Sequence, residues 1–286
     1  MDQTTPVLTQ YSGVCNARRK RSGKIKIGVH SKSNSAVKIL ITVLLGLTVY
    51  AFISFDYKEI VLGEAIAATL RNVKTVFLEP KLSTDTFKNV MYQLFLTFCL
   101  GTLSTIFGAI AAFFCSLLCA KNTAPSGVAN AVKCVIALIR AVPTVLWVLI
   151  FAVSAGLVSV AAVIGLTFHS FAYLTKVYAE SIEEIDDGTI EALRASGAGF
   201  WQIVFQAIVP ASLSRMVAWT FMRFEINFTN AIAVGAAAGA GGIGFNLYMA
   251  GSFYFNLHEM GILTYIVVIA VVMLEMFSTK IKERVK

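Results

Sequence analysis

Charge is what this sequence has least of. Only 14% of its 286 residues are Asp, Glu, Lys or Arg and 57% are hydrophobic, with a mean hydropathy of +0.75. Soluble chains carry roughly 25% charge, and a soluble fold of this length would expose more surface than so few charges keep wet. Lipid is therefore the solvent. Disorder is excluded by the same excess of apolar residues. Cysteine is scarce and odd in number, five in all. Cys99, Cys115, Cys119 and Cys134 lie in or beside apolar runs without metal-ligand spacing, so they read as small buried hydrophobes and no metal is expected. The three histidines, His30, His169 and His258, are scattered. His169 reads as a packed or hydrogen-bonded residue of an apolar span. No nucleophile–base, paired-carboxylate or zinc-protease spacing is present, and Gly23-Lys24 lacks the glycine spacing of a P-loop. Neither catalysis nor nucleotide hydrolysis is expected of this chain.

The charge that is present defines a topology. Arg18, Arg19, Lys20, Arg21, Lys24, Lys26, Lys32 and Lys38 precede the first apolar run, and Lys280, Lys282, Arg284 and Lys286 close the chain. A net charge of +8 could suggest nucleic acid, but no aromatic-and-basic stripe accompanies it. Basic flanks on apolar spans instead orient a membrane protein with both ends in the cytoplasm, which requires an even number of spans. The uncharged stretches supply them. A basic tail over 1–35 leads into an uncleaved anchor over 36–55, and a charge-balanced extracytoplasmic loop with some helical content covers 56–88. Asn89 to Ala120 is uncharged over roughly 48 Å of helix, longer than the hydrocarbon core of about 30 Å, so a long or tilted helix is expected. The break at Pro125 and Gly127 starts a cytoplasmic turn. Ala141 to Thr175 is more economically two spans: the third from near Ala131, bending at Pro143, and the fourth from about Leu157 to Tyr173, with Gly156 at the reversal. A fifth span runs from Val209 to Gly235, a sixth from Met260 to Phe277, and a basic tail covers 279–286. The fold class is all-α integral membrane with about six spans.

One acidic island interrupts the basic trend, from Lys176 to Arg194. It reads as a helix over Tyr178–Ile185, a stop at Asp186-Asp187-Gly188, and a second helix capped by Thr189 with Glu191 in its first turn. Gly197 or Gly199 ends that helix in a left-handed conformation before Phe200 and Trp201 meet the membrane interface. Ala192, Ala195 and Gly197 are small enough for another protein to dock closely, and the acidic face offers electrostatic partners.

From Glu191 to Pro210 the sequence EALRASGAGFWQIVFQAIVP resembles the cytoplasmic loop of ABC importer permeases, whose pattern is EAA, three residues, Gly, nine residues, I-x-L-P. Glu191, Ala192, Gly197 and Pro210 match; Leu193, Ala207 and Val209 depart. The runs Ile139-Arg140-Ala141-Val142-Pro143, Tyr178-Ala179-Glu180, Arg223-Phe224-Glu225-Ile226-Asn227 and Gly239-Ala240-Gly241-Gly242-Ile243-Gly244 extend the resemblance, over roughly Asn89 to Glu275, to the phosphonate permeases of that class. The resemblance implies a type I ABC importer permease fold, a core over 89–278 and a coupling loop over 178–200. Glu191, Ala192, Arg194, Gly197 and Pro210 would then couple to a separate ATP-binding subunit that holds the ATP and Mg, with no cofactor on this chain. It further implies a homodimer, an extracytoplasmic substrate-binding protein, and a place in a prokaryotic cytoplasmic membrane. The substrate would be a phosphonate, with phosphate, phosphite or another small solute as the alternative. An ATP-independent carrier or channel is a second class, and an intramembrane enzyme a third that would need a catalytic pair not found here.

Charge inside a span is costly and is paired or functional. Arg223 and Glu225, two apart, point to different faces of the fifth span, the former with Trp219 and Asn227, the latter with Phe221 and Thr229. Two readings stand: two structural interhelical ion pairs, or a translocation path lined by Arg223, Glu225 and Asn227, with the guanidinium attracting an oxyanion in fork geometry. Gly239, Gly241 and Gly244 also satisfy G-x-G-x-x-G, but no strand or βαβ unit accompanies them. Close backbone packing is the plain reading, and the resemblance implies a gate region, including Gly242, near the dock of the binding protein.

Overall fold

The computed structural model describes residues 15–19, 25–29, 32–54, 61–155 and 158–285, so the reversal expected at Gly156 lies outside the described residues. Two compact units emerge, Met1–Ile66 and Ala67–Lys286. The first holds a short antiparallel hairpin, β1 (Cys15–Arg19) and β2 (Ile25–Val29), paired from Cys15 opposite Val29 to Arg19 opposite Ile25. The β-branched run Ile25, Ile27, Val29 favours this local pairing, which the basic character of the segment concealed. Helix α1 (Lys32–Ser54) is apolar on every side and exposes Leu40, Leu44, Leu47 and Phe52, as a helix surrounded by lipid does.

The second unit is helical among its described residues. After α2 (Leu62–Leu78) come α3 (Phe87–Cys119), α4 (Ser126–Ala141), α5 (Thr144–Ala155) and α6 (Val158–Glu183). A short α7 (Asp187–Ala195) and α8 (Phe200–Ile203) lead through a π-turn over Val204–Ile208 into α9 (Val209–Ala238). Helix α10 (Gly242–Tyr248) and a second π-turn precede α11 (Leu257–Val285). Among the described residues, five helices are long and apolar enough to cross a membrane, or six if α4 and α5, bent by 83°, count as one broken span. The expected all-α architecture of about six spans is therefore the one observed.

Several boundaries move, each for a local reason. The fourth span does not stop at Tyr173: nothing in Leu174–Ile182 breaks a helix, and the Lys176–Glu180 pair one turn apart at 3.5 Å supports continuation, so span and expected Tyr178 helix are one element. The fifth begins at Phe200 rather than Val209. Pro210 lacks an N–H, and the π-turn just ahead of it absorbs the mismatch, so Phe200–Ala238 is a single apolar span. The third begins at Ser126 and breaks where Val142, forced extended ahead of Pro143 (φ −83°, ψ 123°), ends α4. Trp147 Nε1 donates to the Ile139 carbonyl at 3.1 Å across that corner.

In lipid no hydrophobic force draws helices together, so close packing and hydrogen bonds must. Helix α3 lies against both α6 and α9, burying Leu100, Ser104, Thr105 and Ala112 while Phe95, Phe107, Ile110 and Phe114 face outward. Gly108 meets Ser170 and Phe171 of α6 so closely that a Cβ would come within 2.7 Å of the Ser170 Cβ; Gly165 of α6 meets Val148 of α5 at 2.6 Å in the same sense. A Cβ on Gly244 would run into the Ile232 carbonyl oxygen. Overpacking a tight site costs about 1–3 kcal/mol. Gly244→Ala is therefore expected to lower the thermal midpoint of the purified protein in detergent, whereas Gly127→Ala, with open space around it, leaves the midpoint unchanged.

Candidate functional site

Three places on the second unit carry the sequence's candidate residues: the loop end of α6 and α9, the middle of α9, and the glycine-rich turn at the far end of α9.

At the loop end the cap of α7 is Asp186, whose carboxylate accepts from the Thr189 amide at 3.2 Å. This corrects the assignment of Thr189, and it puts Asp187 rather than Glu191 in the first turn. The other end closes as a Schellman motif: Gly197, at φ +82°, donates to the Arg194 carbonyl at 3.0 Å, and Ala198 donates to that of Leu193 at 3.0 Å. Only a residue free of a Cβ penalty holds that backbone cheaply. With both ends satisfied, α7 is a rigid cartridge. Ile190 is buried, and Leu193 packs beside it against Leu117, Ile182, Ile185 and Ile203. Glu191, Ala192, Arg194, Ala195 and Gly197 stay exposed, as does Pro210 further on. Polar contacts seat the cartridge. Arg194 Nη2 donates to the Asn122 carbonyl at 3.1 Å, Asn122 Nδ2 to that of Ile182 at 2.8 Å, and Glu183 accepts from the Lys121 amide at 2.9 Å and from Lys133 Nζ at 2.8 Å. Arg215 of α9 bonds Glu184 at 3.0 Å and the Ser181 carbonyl at 2.8 Å. A cavity of about 400 Å³ lined by Lys121, Asn122, Glu183, Asp187, Ile190, Glu191 and Arg194 opens beside α7.

In the middle of α9 the two candidate charges part company. Glu225 accepts from Lys282 of α11 at 3.0 Å, an interhelical ion pair. Arg223 is only 2% exposed, and among the described residues no carboxylate pairs with it. Its Nε donates to Ser170 Oγ at 3.1 Å and its Nη2 to His169 Nδ1 at 2.9 Å, while the Tyr173 ring lies 5.3 Å from the guanidinium carbon. Because arginine has no acceptor, His169 must present a bare Nδ1 and is the neutral tautomer. Asn227, fully buried one turn on, donates to Ser170 Oγ at 2.7 Å and to Thr105 Oγ1 at 2.8 Å. Arg223 and Asn227 thus share one network across α3, α6 and α9, and Glu225 belongs to another. His169, Ser170 and Thr105 were not among the sequence's candidates. No spacing signal links His169 to a guanidinium 54 positions away; the only hint was polarity inside apolar spans.

At the far end Gly239 (φ +66°) stops α9, and Gly241 and Gly242 (φ +79° and +74°) turn the chain into α10. Two side chains of α3 receive the first amides of α10: Gly242 N donates to Gln93 Oε1 at 3.1 Å and Ile243 N to Thr97 Oγ1 at 3.0 Å. Ser159 donates to the Ala240 carbonyl at 2.9 Å. Of these glycines Gly244 meets the backbone of Ile232 and Gly242 the side chain of Thr97, whereas a Cβ on Gly239 would meet nothing, and Gly239, Gly241 and Gly242 serve the turn through their positive φ.

The fold is similar to that of solved ABC importers: the MetNI methionine ABC transporter, in inward-facing conformations, matches with a TM-score of 0.63 at 22% identity, covering 72% of this chain and 100% of that one. Residues 112–281 match the binding-protein-dependent transport system inner membrane component family, and the chain belongs to it. Its relatives include the phosphate-import permease protein PhnE of Mycolicibacterium smegmatis, 36% identical over 152 residues, 53% of this chain and 28% of that protein. Another is the phosphite transport system permease protein PtxC of Stutzerimonas stutzeri, 29% identical over 185 residues, 64% of this chain and 65% of that protein. The chain spans less than two thirds of the length of either relative.

The Asn227 network yields a stability prediction. Removing the amide leaves buried Thr105 Oγ1 without its donor and Ser170 Oγ with Arg223 Nε alone, at about 1–3 kcal/mol. Asn227→Ala should lower the thermal midpoint, and Asn227→Gln, which keeps the amide on a longer stem, should lower it less.

Proposed function

We propose that this chain is the membrane-spanning subunit of an ATP-driven importer and that its cargo is a phosphorus oxyanion, a phosphonate or its close chemical kin phosphite or phosphate. Two copies enclose the path, since the spans of one copy are too few to surround a solute. A separate ATP-binding subunit carries the nucleotide and Mg, and an extracytoplasmic binding protein delivers cargo to the glycine-rich end. The observation that carries the oxyanion reading is Arg223. Its guanidinium holds a full positive charge inside the membrane with no carboxylate to cancel it among the described residues. Where the dielectric is low such a charge is felt across several ångströms, so an anion passing near α9 is stabilised without direct contact. The names of the relatives, phosphate-import and phosphite-transport permeases, point the same way.

The mechanics follow from α7. The ATP-binding subunits close on ATP, draw the two α7 helices together, and reset on hydrolysis, a two-state change biased through a docked helix. Because α7 is capped at both ends and seated by Ile190 and Leu193, it moves as a body and carries the cluster beneath it. The unbroken Phe200–Ala238 span then delivers that displacement to Gly239. Glu191, Ala192 and Arg194 form the face met by the ATP-binding subunit, Gly197 keeps that face thin, and Pro210 sets the return into the membrane. Cargo passes Arg223 and Asn227, with Glu225 as the neighbouring ion pair, and the turn over Gly239, Gly241, Gly242 and Gly244 is the gate. Both termini face the cytoplasm.

Two measurements test this. Glu191→Lys and Gly197→Asp should abolish co-purification of the ATP-binding subunit while the chain itself still inserts in the membrane; retention of the subunit would favour a carrier or channel that works without ATP. Arg223→Gln should slow oxyanion uptake. A loss of about 1.4 kcal/mol of anion stabilisation corresponds to about tenfold. Uptake unchanged in rate and selectivity, with the complex intact, would remove Arg223 from the pathway.

A further inference from the structure

Helix α2 is too short and too charged to cross the bilayer, yet like the lipid-exposed α1 it has no buried residue among those described. Its residues are sharply sorted. At 100° per residue, Leu62, Ile66, Leu70, Val73 and Phe77 fall on one side, and Glu64, Arg71 and Lys74 on the other. The apolar stripe is uncovered: Leu62, Ile66 and Leu70 are 63%, 55% and 64% exposed, and Val73 and Phe77 48% each.

The last turn of α2 meets α11. A Cβ on Gly261 of α11 would collide with the Val76 carbonyl, so the two backbones meet there. Tyr265 Oη donates to the Phe77 carbonyl at 2.6 Å, and the Phe77 and Tyr265 rings stand edge to face, 6.3 Å between centroids at 85°. Just beyond, His258 Nδ1 bonds the Glu79 carbonyl at 2.6 Å, and Lys81 N donates to the His258 carbonyl at 3.1 Å. This fixes α2 at the glycine-rich end of the bundle, away from α7, beside the ring from which the outward apolar face of α11 begins: Tyr265, Val268, Ile269, Val272, Met273 and Met276 are all exposed. The stripe of α2 is therefore continuous, through Phe77 and Tyr265, with the lipid-facing surface. Aromatic rings at such a junction are the usual markers of the headgroup level.

We infer that α2 lies in the plane of the membrane interface on the side opposite α7, with Leu62, Ile66, Leu70, Val73 and Phe77 sunk among the acyl chains and Glu64, Arg71 and Lys74 in the headgroups and water. The occupant of the stripe is lipid. An amphipathic helix with low overall hydrophobicity and an opposed charged face is built for that position, and residues 79–86 join it directly to the membrane span α3. The helix thereby forms a raft that braces the outer end of α11 at the level where cargo enters.

The test is a depth measurement. In the full-length chain with its native cysteines replaced by alanine and uptake retained, single nitroxide labels are placed through Leu70→Cys or Val73→Cys, and through Arg71→Cys or Thr75→Cys, after reconstitution into phosphatidylcholine–phosphatidylglycerol vesicles. Labels at 70 and 73 should be relaxed by oxygen and shielded from a water-soluble nickel chelate, and labels at 71 and 75 should show the reverse. Chelate access at all four positions would mean that the stripe stands in water. Shielding of 70 and 73 from both oxygen and chelate would mean that protein, a second copy or a binding partner, covers it. Either result overturns the assignment to lipid.

Discussion

Three helices converge on Asn227. Its amide donates to Thr105 of α3 and Ser170 of α6, and the same Ser170 hydroxyl receives Arg223 Nε. In a membrane the interior of a bundle gains nothing over lipid from apolarity alone, so directional bonds and close approach hold helices in register. Gly108 permits the approach by letting α3 meet α6 at Ser170 and Phe171. The hydroxyls in this seam also turn back on their own helices, Thr105 to the Gly101 carbonyl and Ser170 to that of Leu166. Each hydroxyl thereby donates one bond while accepting from its neighbours across the seam. The position of Arg223 is set by this arrangement, and with it the positive charge inside the membrane.

The same seam joins the two ends of the subunit. Toward α7, the α3–α6–α9 contact widens into the cluster of Leu117, Tyr178, Ile182, Ile190 and Ile208, with the Tyr178 and Thr220 hydroxyls bonded between α6 and α9. Toward the glycine-rich turn it becomes Gln93 and Thr97 of α3 holding the first amides of α10. From the α7 end a displacement meets the π-turn over Val204–Ile208 and then no further soft element until the three positive-φ glycines beyond Ala238, Gly239, Gly241 and Gly242. Compliance is concentrated there and in the two π-turns, and the rest behaves as a frame.

Much of this was legible in the sequence because its signals were local. Uncharged runs of sufficient length located the spans, Pro143 located a corner, and EALRASG with its following proline located α7, since a cap, a helix and a left-handed glycine are written within ten or so residues. Boundaries failed where a competing rule was stronger. Pro210 reads as a helix start until a π-turn absorbs it, and Asp186 outcompetes Thr189 as a cap because its carboxylate reaches the Thr189 amide. What the sequence could not disclose was pairing at a distance. Nothing near Arg223 indicates that His169 and Ser170 receive it, nor anything near Glu225 that Lys282, counted among the basic residues of the tail, closes back onto it. Such pairs depend on the rotation and depth of whole helices, and periodicity leaves both free.

The corner at Pro143 bears on how the chain gets into the membrane. Helix α5, Thr144–Ala155, would reach only about 18 Å, well short of the hydrocarbon core, and α4 carries Lys133 and Arg140 on an otherwise apolar body. Neither half is a competent insertion segment alone. Val148 of α5 has its place against Gly165, on the helix synthesised next, so the bent pair is completed only once α6 is in the bilayer beside it. The corner thus finds its packing partner in the span that directly follows it along the chain.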